Sequence, residues 1–406
     1  MLQSTTLPRE LDYVLLLFVL FVVPRFLQRY RLPSGITAVA MGIAAGVGLG
    51  WFAQDRTIGL LATLGIVSLF LFAGLEVEFA DLRRGLRVLI QHVLIGLAML
   101  ALVTPLARWY LAVSWRAAVL VALALLTPST GFILHSLATL EISERERFWI
   151  KSKAVATELV ALAALFVTLQ STSAVRLTSS ALVLVGMIAL LPGAFRLFAV
   201  RVAPFAPKSE FAFLLMLAVL CAVVTRWLGV YYLVGAFVVG VTAQRFREHL
   251  PAMASEQMLH AVEVFASFFI PFYFFDAGLH LTRQDFAGET LLMGVAFLGT
   301  MVPLRLIFVA VHRRFALREP MEHSLRVSAA MLPTLVFTLV IAEILAERGD
   351  VPRAVFGGLV IYALGTTLIP GFALRAPPME FLAGWEDGEP PGPRPPLAPR
   401  TGAVFE

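Results

Sequence analysis

The chain has 406 residues, 59% of them hydrophobic and only 15% charged, with a net charge of +5. Apolar runs of about 20 residues recur along it, each long enough to cross a hydrocarbon core of about 30 Å, which indicates an all-α polytopic membrane protein. The basic balance does not point to nucleic acid, because the arginines are dispersed between apolar runs, and the single cysteine, Cys221, excludes a disulfide or a cysteine metal cluster.

In chain order, a helix-length window gives about thirteen transmembrane helices, at 11–29, 34–52, 57–79, 86–111, 115–138, 148–170, 178–200, 210–228, 230–244, 258–281, 287–311, 324–346 and 354–374. An odd number puts the termini on opposite sides. Arginine and lysine concentrate in the loops after odd-numbered spans, among them Arg25, Arg83, Arg145, Lys151, Lys153 and Arg313, so the positive-inside rule places the N-terminus outside and the C-terminus in the cytoplasm. Beyond the last span, 376–406 is polar and proline-rich and reads as a disordered cytoplasmic tail. That leaves no folded cytoplasmic domain, and no cytoplasmic nucleotide ligand is expected.

The sixth span carries the most informative residue. Glu158 lies in the apolar run Ala154-Val155-Ala156-Thr157-Glu158-Leu159-Val160-Ala161. A charge at the centre of a membrane helix costs roughly 2.5–3.5 kcal/mol on insertion scales, so an ion- or proton-handling role is the expectation. Burial raises a carboxylate's proton affinity and cation ligands lower it, so one such group can hold either a proton or a monovalent cation.

An internal repeat supplies its setting. Phe72-Ala73-Gly74-Leu75-Glu76, closing the third span, reappears as Asp276-Ala277-Gly278-Leu279-His280, closing the tenth. The same spacing carries Thr130, in Thr127-Pro128-Ser129-Thr130-Gly131, onto Thr334, in Leu332-Pro333-Thr334. The third span runs inward and the tenth outward, so the topology is inverted, and each half holds a proline where its apolar helix should break. Paired broken helices in inverted halves place a transport site near the midplane, where freed carbonyls and Thr127, Ser129, Thr130 and Thr334 can line a cation site beside Glu158. His135, just after the first break, is a candidate pH sensor or a structural histidine.

Gly65-Ile66-Val67-Ser68-Leu69-Phe70-Leu71-Phe72-Ala73-Gly74-Leu75-Glu76, Leu233-Val234-Gly235-Ala236-Phe237-Val238-Val239-Gly240, Phe268-Phe269-Ile270-Pro271-Phe272-Tyr273-Phe274-Phe275 and Leu339-Val340-Ile341-Ala342-Glu343 resemble the monovalent cation/proton antiporters, in particular their Kef-like branch. The resemblance runs from about residue 11 to 374 and implies the sodium/proton antiporter fold, with inverted repeats, two crossed broken helices and elevator-type alternating access. It implies a dimerisation scaffold at 11–79 and 209–281, a linker helix at 178–203, and an ion-transporting core at 81–170 and 286–375. It also implies a homodimer in a prokaryotic inner or plasma membrane.

The family's acidic pair, or Asn or Gln followed by Asp, corresponds to Thr157-Glu158, which adds Thr157 to the candidate ligands. One carboxylate instead of two implies electroneutral exchange of Na⁺ or K⁺ for H⁺ at Glu158, with no cofactor. Arg305 stands where the family carries a basic residue facing the core; it is expected to balance Glu158 or another carboxylate, the alternative being that it snorkels to the interface. Glu343 approaches the outer surface, as an interfacial residue or part of an external funnel or pH sensor, and Asp276, near the outer end of the tenth span, lines such a funnel or caps its helix. Two other functions stay open: a sodium-coupled organic-anion symporter on the same fold, and a non-transporting sensor or assembly subunit. An enzyme is not expected, since no Ser/His/Asp, His-Glu-x-x-His or paired-carboxylate constellation is present.

Overall fold

A computed structural model describes residues 9–52, 54–136, 142–206, 209–247, 256–349 and 351–374. The expected tail at 376–406 lies outside them. Among the described residues sixteen α-helices follow one another: α1 (Arg9–Gln28), α2 (Ser34–Ile43), α3 (Arg56–Leu75), α4 (Phe79–Arg84), α5 (Leu86–Leu111), α6 (Trp115–Leu126), α7 (Thr130–Ser136), α8 (Glu144–Gln170), α9 (Ala174–Leu197), α10 (Glu210–Trp227), α11 (Tyr232–Arg247), α12 (Glu256–Leu279), α13 (Gly288–Ala316), α14 (Met321–Ala330), α15 (Leu335–Arg348) and α16 (Arg353–Ala373). Among the described residues, nine helical stretches are long and apolar enough to cross a membrane, ten if the bent pair α14 and α15 is one span. The count of thirteen included shorter apolar helices, such as Ser34–Leu49 and Tyr232–Phe246, which span less than a full bilayer by themselves.

The helices form two packed groups. In one, α3 packs on α11 and α12, α12 on α2, and α10 on α11. In the other, α13 packs on α16 and α14, α5 on α6, and α15 on α6 and α16, with α8 against α5, α6 and α7. Helices α3 and α7 touch across the two groups.

Glycines of the repeat set the spacing in the first group. A Cβ on Gly74 would lie 2.4 Å from the Phe237 carbonyl oxygen, and one on its neighbour Gly240 would lie 2.2 Å from that of Leu71. The repeat-equivalent Gly278 faces Gly42 in the same way, with added Cβ atoms 2.2 Å from Val39 O and 2.0 Å from Phe275 O. Without a hydrophobic force between helices in lipid, such backbone-to-backbone approach is what holds them.

Proline alone does not break these helices. Pro24, Pro105, Pro192, Pro271, Pro303 and Pro370 all sit inside continuous helices, as membrane helices tolerate when neighbours satisfy the freed groups. Among the described residues, apolar stretches are interrupted beside a proline at Thr127–Ser129, between α6 and α7, and at Met331–Thr334, between α14 and α15, where the second pair is bent by 46°. At these two places another backbone stands ready to take the freed hydrogen bonds.

Candidate functional site

The two breaks cross and satisfy each other. Ser129 donates its N–H to the Pro333 carbonyl at 2.8 Å. The Ser129 hydroxyl oxygen accepts the N–H groups of Val336 (2.9 Å) and Phe337 (3.2 Å), which caps the start of α15. In return, Thr338 Oγ1 donates to Ala124 O at 2.7 Å and Tyr362 OH to Leu125 O at 2.7 Å, covering the last carbonyls of α6.

Arg305 closes the end of α14. Its Nη1 donates to Leu332 O (2.8 Å) and its Nη2 to Met331 O (2.8 Å), with Tyr362 OH at 3.2 Å. The guanidinium fork is therefore directed at backbone carbonyls, where the negative end of the helix dipole lies. This corrects two sequence expectations: Arg305 is buried, so it does not snorkel, and its hydrogen bonds go to carbonyls rather than to Glu158.

Glu158 projects from α8 into a cavity of about 10 Å³, roughly the space of one water-sized particle, lined by Ser129, Thr130, Gly131, Val336 and Phe337 and, from α3, by Leu69, Phe70 and Ala73. The hydroxyl and N–H of Thr130 act on the carboxylate at close range. Yet Glu158 Oε2 and Thr130 Oγ1 are each buried without completing a hydrogen bond. Leaving such groups unpaired costs about 1–3 kcal/mol apiece, more for a charge. α8 is anchored for this task by a capping box, in which Ser143 and Glu146 exchange hydrogen bonds.

Ser129, Thr130 and Glu158 are thus brought together; the other candidates are not. Thr157 turns away, because consecutive helix residues point about 100° apart: its Oγ1 donates to Lys153 O at 2.8 Å and meets His92 Nε2 at 3.2 Å. Thr127, with Thr157 and Arg305, lines a second, mostly apolar cavity of about 80 Å³ behind α8. Thr334 pairs with Thr366, oxygen to oxygen at 3.1 Å. The side chain of His135 lies outside the described residues. Asp276 and Glu343 share a third cavity, about 390 Å³, where Tyr231 OH donates to Glu343 and His280 stands 3.6 Å from Asp276.

A family profile described as the transmembrane sodium/hydrogen exchanger matches residues 15–379. The chain belongs to the sodium/hydrogen exchanger family. Over 372 residues, 89% of this exchanger-family chain and 95% of its relative, it is 22% identical to "Probable Na(+)/H(+) antiporter 3" of Methanocaldococcus jannaschii. A shorter stretch of 76 residues, 18% of the chain and 11% of the relative, is 34% identical to "Na(+)/H(+) antiporter NhaS5" of Synechocystis. The solved structure of the sodium proton antiporter MjNhaP1 from Methanocaldococcus jannaschii at pH 8 superposes with a TM-score of 0.66 at 11% identity, covering 90% of this chain and 96% of that one, a likeness of fold.

Two further features of this exchanger-family chain escaped the sequence. Lys153, counted with the cytoplasmic loops, is fully buried, and its Nζ lies 3.3 Å from His312 Nδ1. Glu76 and Glu78, at the end of the third span, hold Lys151 at 3.0 and 2.8 Å. The available signal was spacing: Lys153 precedes Thr157 by four residues and so shares its helix face.

Proposed function

We propose that this chain is a secondary antiporter that exchanges Na⁺ for H⁺, with Glu158 as the shared carrier. The observation that carries the reading is the buried carboxylate of Glu158, set beside the hydroxyl and N–H of Thr130 in a cavity at the crossing of two broken helices. A carboxylate in that position holds a proton or a small cation, and mutual exclusion between the two couples their fluxes. The relatives' names favour Na⁺; K⁺, suggested by the Kef-like resemblance, is the alternative cargo. With one carboxylate at the crossing, the exchange is one charge for one charge and electroneutral.

The packing supports an elevator. In this reading 11–79 and 209–281 form a dimerisation scaffold, 178–203 a linker, and 81–170 with 286–375 the moving core. Glu158 rides on the core while Leu69, Phe70 and Ala73 of the scaffold close its cavity, so sliding the core carries the site past a fixed wall. The cavity holding Asp276 and Glu343 is the external vestibule, with the N-terminus outside and the C-terminus cytoplasmic. A cavity of about 10 Å³ suits a small cation and not an organic anion, which weighs against symport of such a substrate. The test is a proteoliposome assay with an internal pH dye: an imposed Na⁺ gradient moves protons in the wild-type protein, and no proton movement under either a Na⁺ or a K⁺ gradient overturns the reading.

A further inference from the structure

Behind Glu158, α8 carries a second titratable group that the exchange at the crossing does not use. Lys153 is fully buried, and among the described residues no ion pair includes it. Its Nζ meets His312 Nδ1 at 3.3 Å, while His312 Nε2 lies 3.4 Å from Gln91 Oε1. A lysine ammonium only donates and an amide oxygen only accepts, so in this arrangement His312 is neutral, with its proton on Nε2 and its Nδ1 lone pair toward Lys153. The Thr157 hydroxyl proton is committed to Lys153 O, so His92 Nε2 donates to Thr157. The two imidazoles stack with centroids 5.9 Å apart.

The surrounding charges leave Lys153 without a carboxylate of its own. On α13, Arg313 is fully buried beside it and binds Glu319 at 2.5 Å, and Glu319 also meets Arg145 at 3.5 Å. On α14, His323 engages Glu146 at 3.1 Å. α5 contributes His92, and on the flank toward α4 the carboxylates of Glu76 and Glu78 are held by Lys151. Two bases thus face one another in a positively charged, buried environment that accommodates one proton between them and disfavours a second.

We propose that Lys153 and His312 form a second proton-binding site, a pair of bases that holds one proton and releases it when a cation enters at Glu158. Lys153 and Glu158 are five residues apart on one helix, about 7.5 Å of rise, and both are buried, where charges are screened weakly. A proton on the pair opposes a cation at Glu158, and by reciprocity the cation weakens the hold on that proton. Proton balance is simple: the ammonium loses one proton to solvent, leaving a neutral amine beside a neutral imidazole. The pair exchanges this proton with one side of the membrane in both positions of the core, so the proton is linked to binding and is not cargo.

The inference rests on Glu158 being the cation site, and proton counting separates the two claims. Na⁺ binding to the purified full chain is measured by calorimetry in buffers of different ionisation heat, from about pH 6 to about 9. Competition at Glu158 alone releases at most one proton per Na⁺; linkage to the pair raises this above one, so the Kd for Na⁺ falls by more than tenfold per pH unit over part of the range. Lys153→Met removes the titrating proton and Lys153→Arg fixes it, so each returns the count to one or less, and either variant that folds decides the matter. A wild-type count of one or less, or the same excess in Lys153→Met and Lys153→Arg, overturns the proposal. Na⁺ binding with proton release in Glu158→Gln overturns the reading of Glu158 instead.

Discussion

Ser129 donates its backbone N–H to the carbonyl of Pro333 at 2.8 Å, and these two residues are related by the spacing of the internal repeat. The inverted halves therefore meet at equivalent positions. Where one half lacks a helical hydrogen bond the other supplies it, and the Glu158 cavity lies against that junction.

Ser129→Ala leaves the N–H groups of Val336 and Phe337 without their acceptor at the start of α15. A lost cap costs about 1–2 kcal/mol, so the variant should unfold at a lower temperature in detergent, while Ser129→Thr, which keeps a hydroxyl, should retain most of the stability. Equal melting of Ser129→Ala and wild type would show that the cap contributes nothing.

Arg305 acts on backbone, and its substitutions should reveal that. Arg305→Met strands the carbonyls of Met331 and Leu332, at about 1–3 kcal/mol each, and Arg305→Lys recovers only part because an ammonium cannot reach both as a fork. Thermal unfolding should rank wild type above Arg305→Lys above Arg305→Met. A direct role at Glu158 would instead show in Arg305→Lys as wild-type stability with altered Na⁺ affinity.

Thr130 and Thr157 flank the same region but face different cavities. Thr130→Val removes a hydroxyl from the Glu158 cavity and should raise the KM for Na⁺ about tenfold, the equivalent of about 1.4 kcal/mol. Thr157→Val should leave that KM within about twofold, because its hydroxyl points to Lys153 O and His92. Transport rates against Na⁺ concentration at fixed pH check the pair.

The glycine contacts make a packing test. Gly240→Val drives a side chain into Leu71 O, 2.2 Å from the added Cβ, and should cost about 3 kcal/mol or more. Gly48→Ala, with nothing within 4 Å of its added Cβ, should change stability by less than about 1 kcal/mol. Denaturation of the two variants side by side measures the contrast.

Much of this arrangement was legible in the sequence. The repeat and its paired prolines located both breaks, and hydropathy against charge singled out Glu158. Proline by itself was a poor guide, since six others lie in unbroken helices; what distinguishes Pro128 and Pro333 is the opposing backbone at the crossing. The partners of Arg305 were hidden because they are carbonyls, which no side-chain pattern encodes. The aim of Thr157 was recoverable, because neighbours on a helix diverge by about 100° and cannot both face one cavity. Lys153 was misplaced because positive-inside counting treats every lysine near a span's end as solvated, whereas helix periodicity puts it on the buried Thr157 face.

Glu158→Gln is the most direct measurement. In proteoliposomes with an internal pH dye, a Na⁺ gradient should drive proton movement through the wild-type protein, with the KM for Na⁺ rising by about tenfold or more per unit as pH falls, because protons and Na⁺ compete for the carboxylate. Glu158→Gln, which keeps the shape but can neither ionise nor bind the cation by charge, should fold and exchange nothing. Proton movement in Glu158→Gln at the wild-type rate would contradict the assignment of Glu158 as the shared carrier.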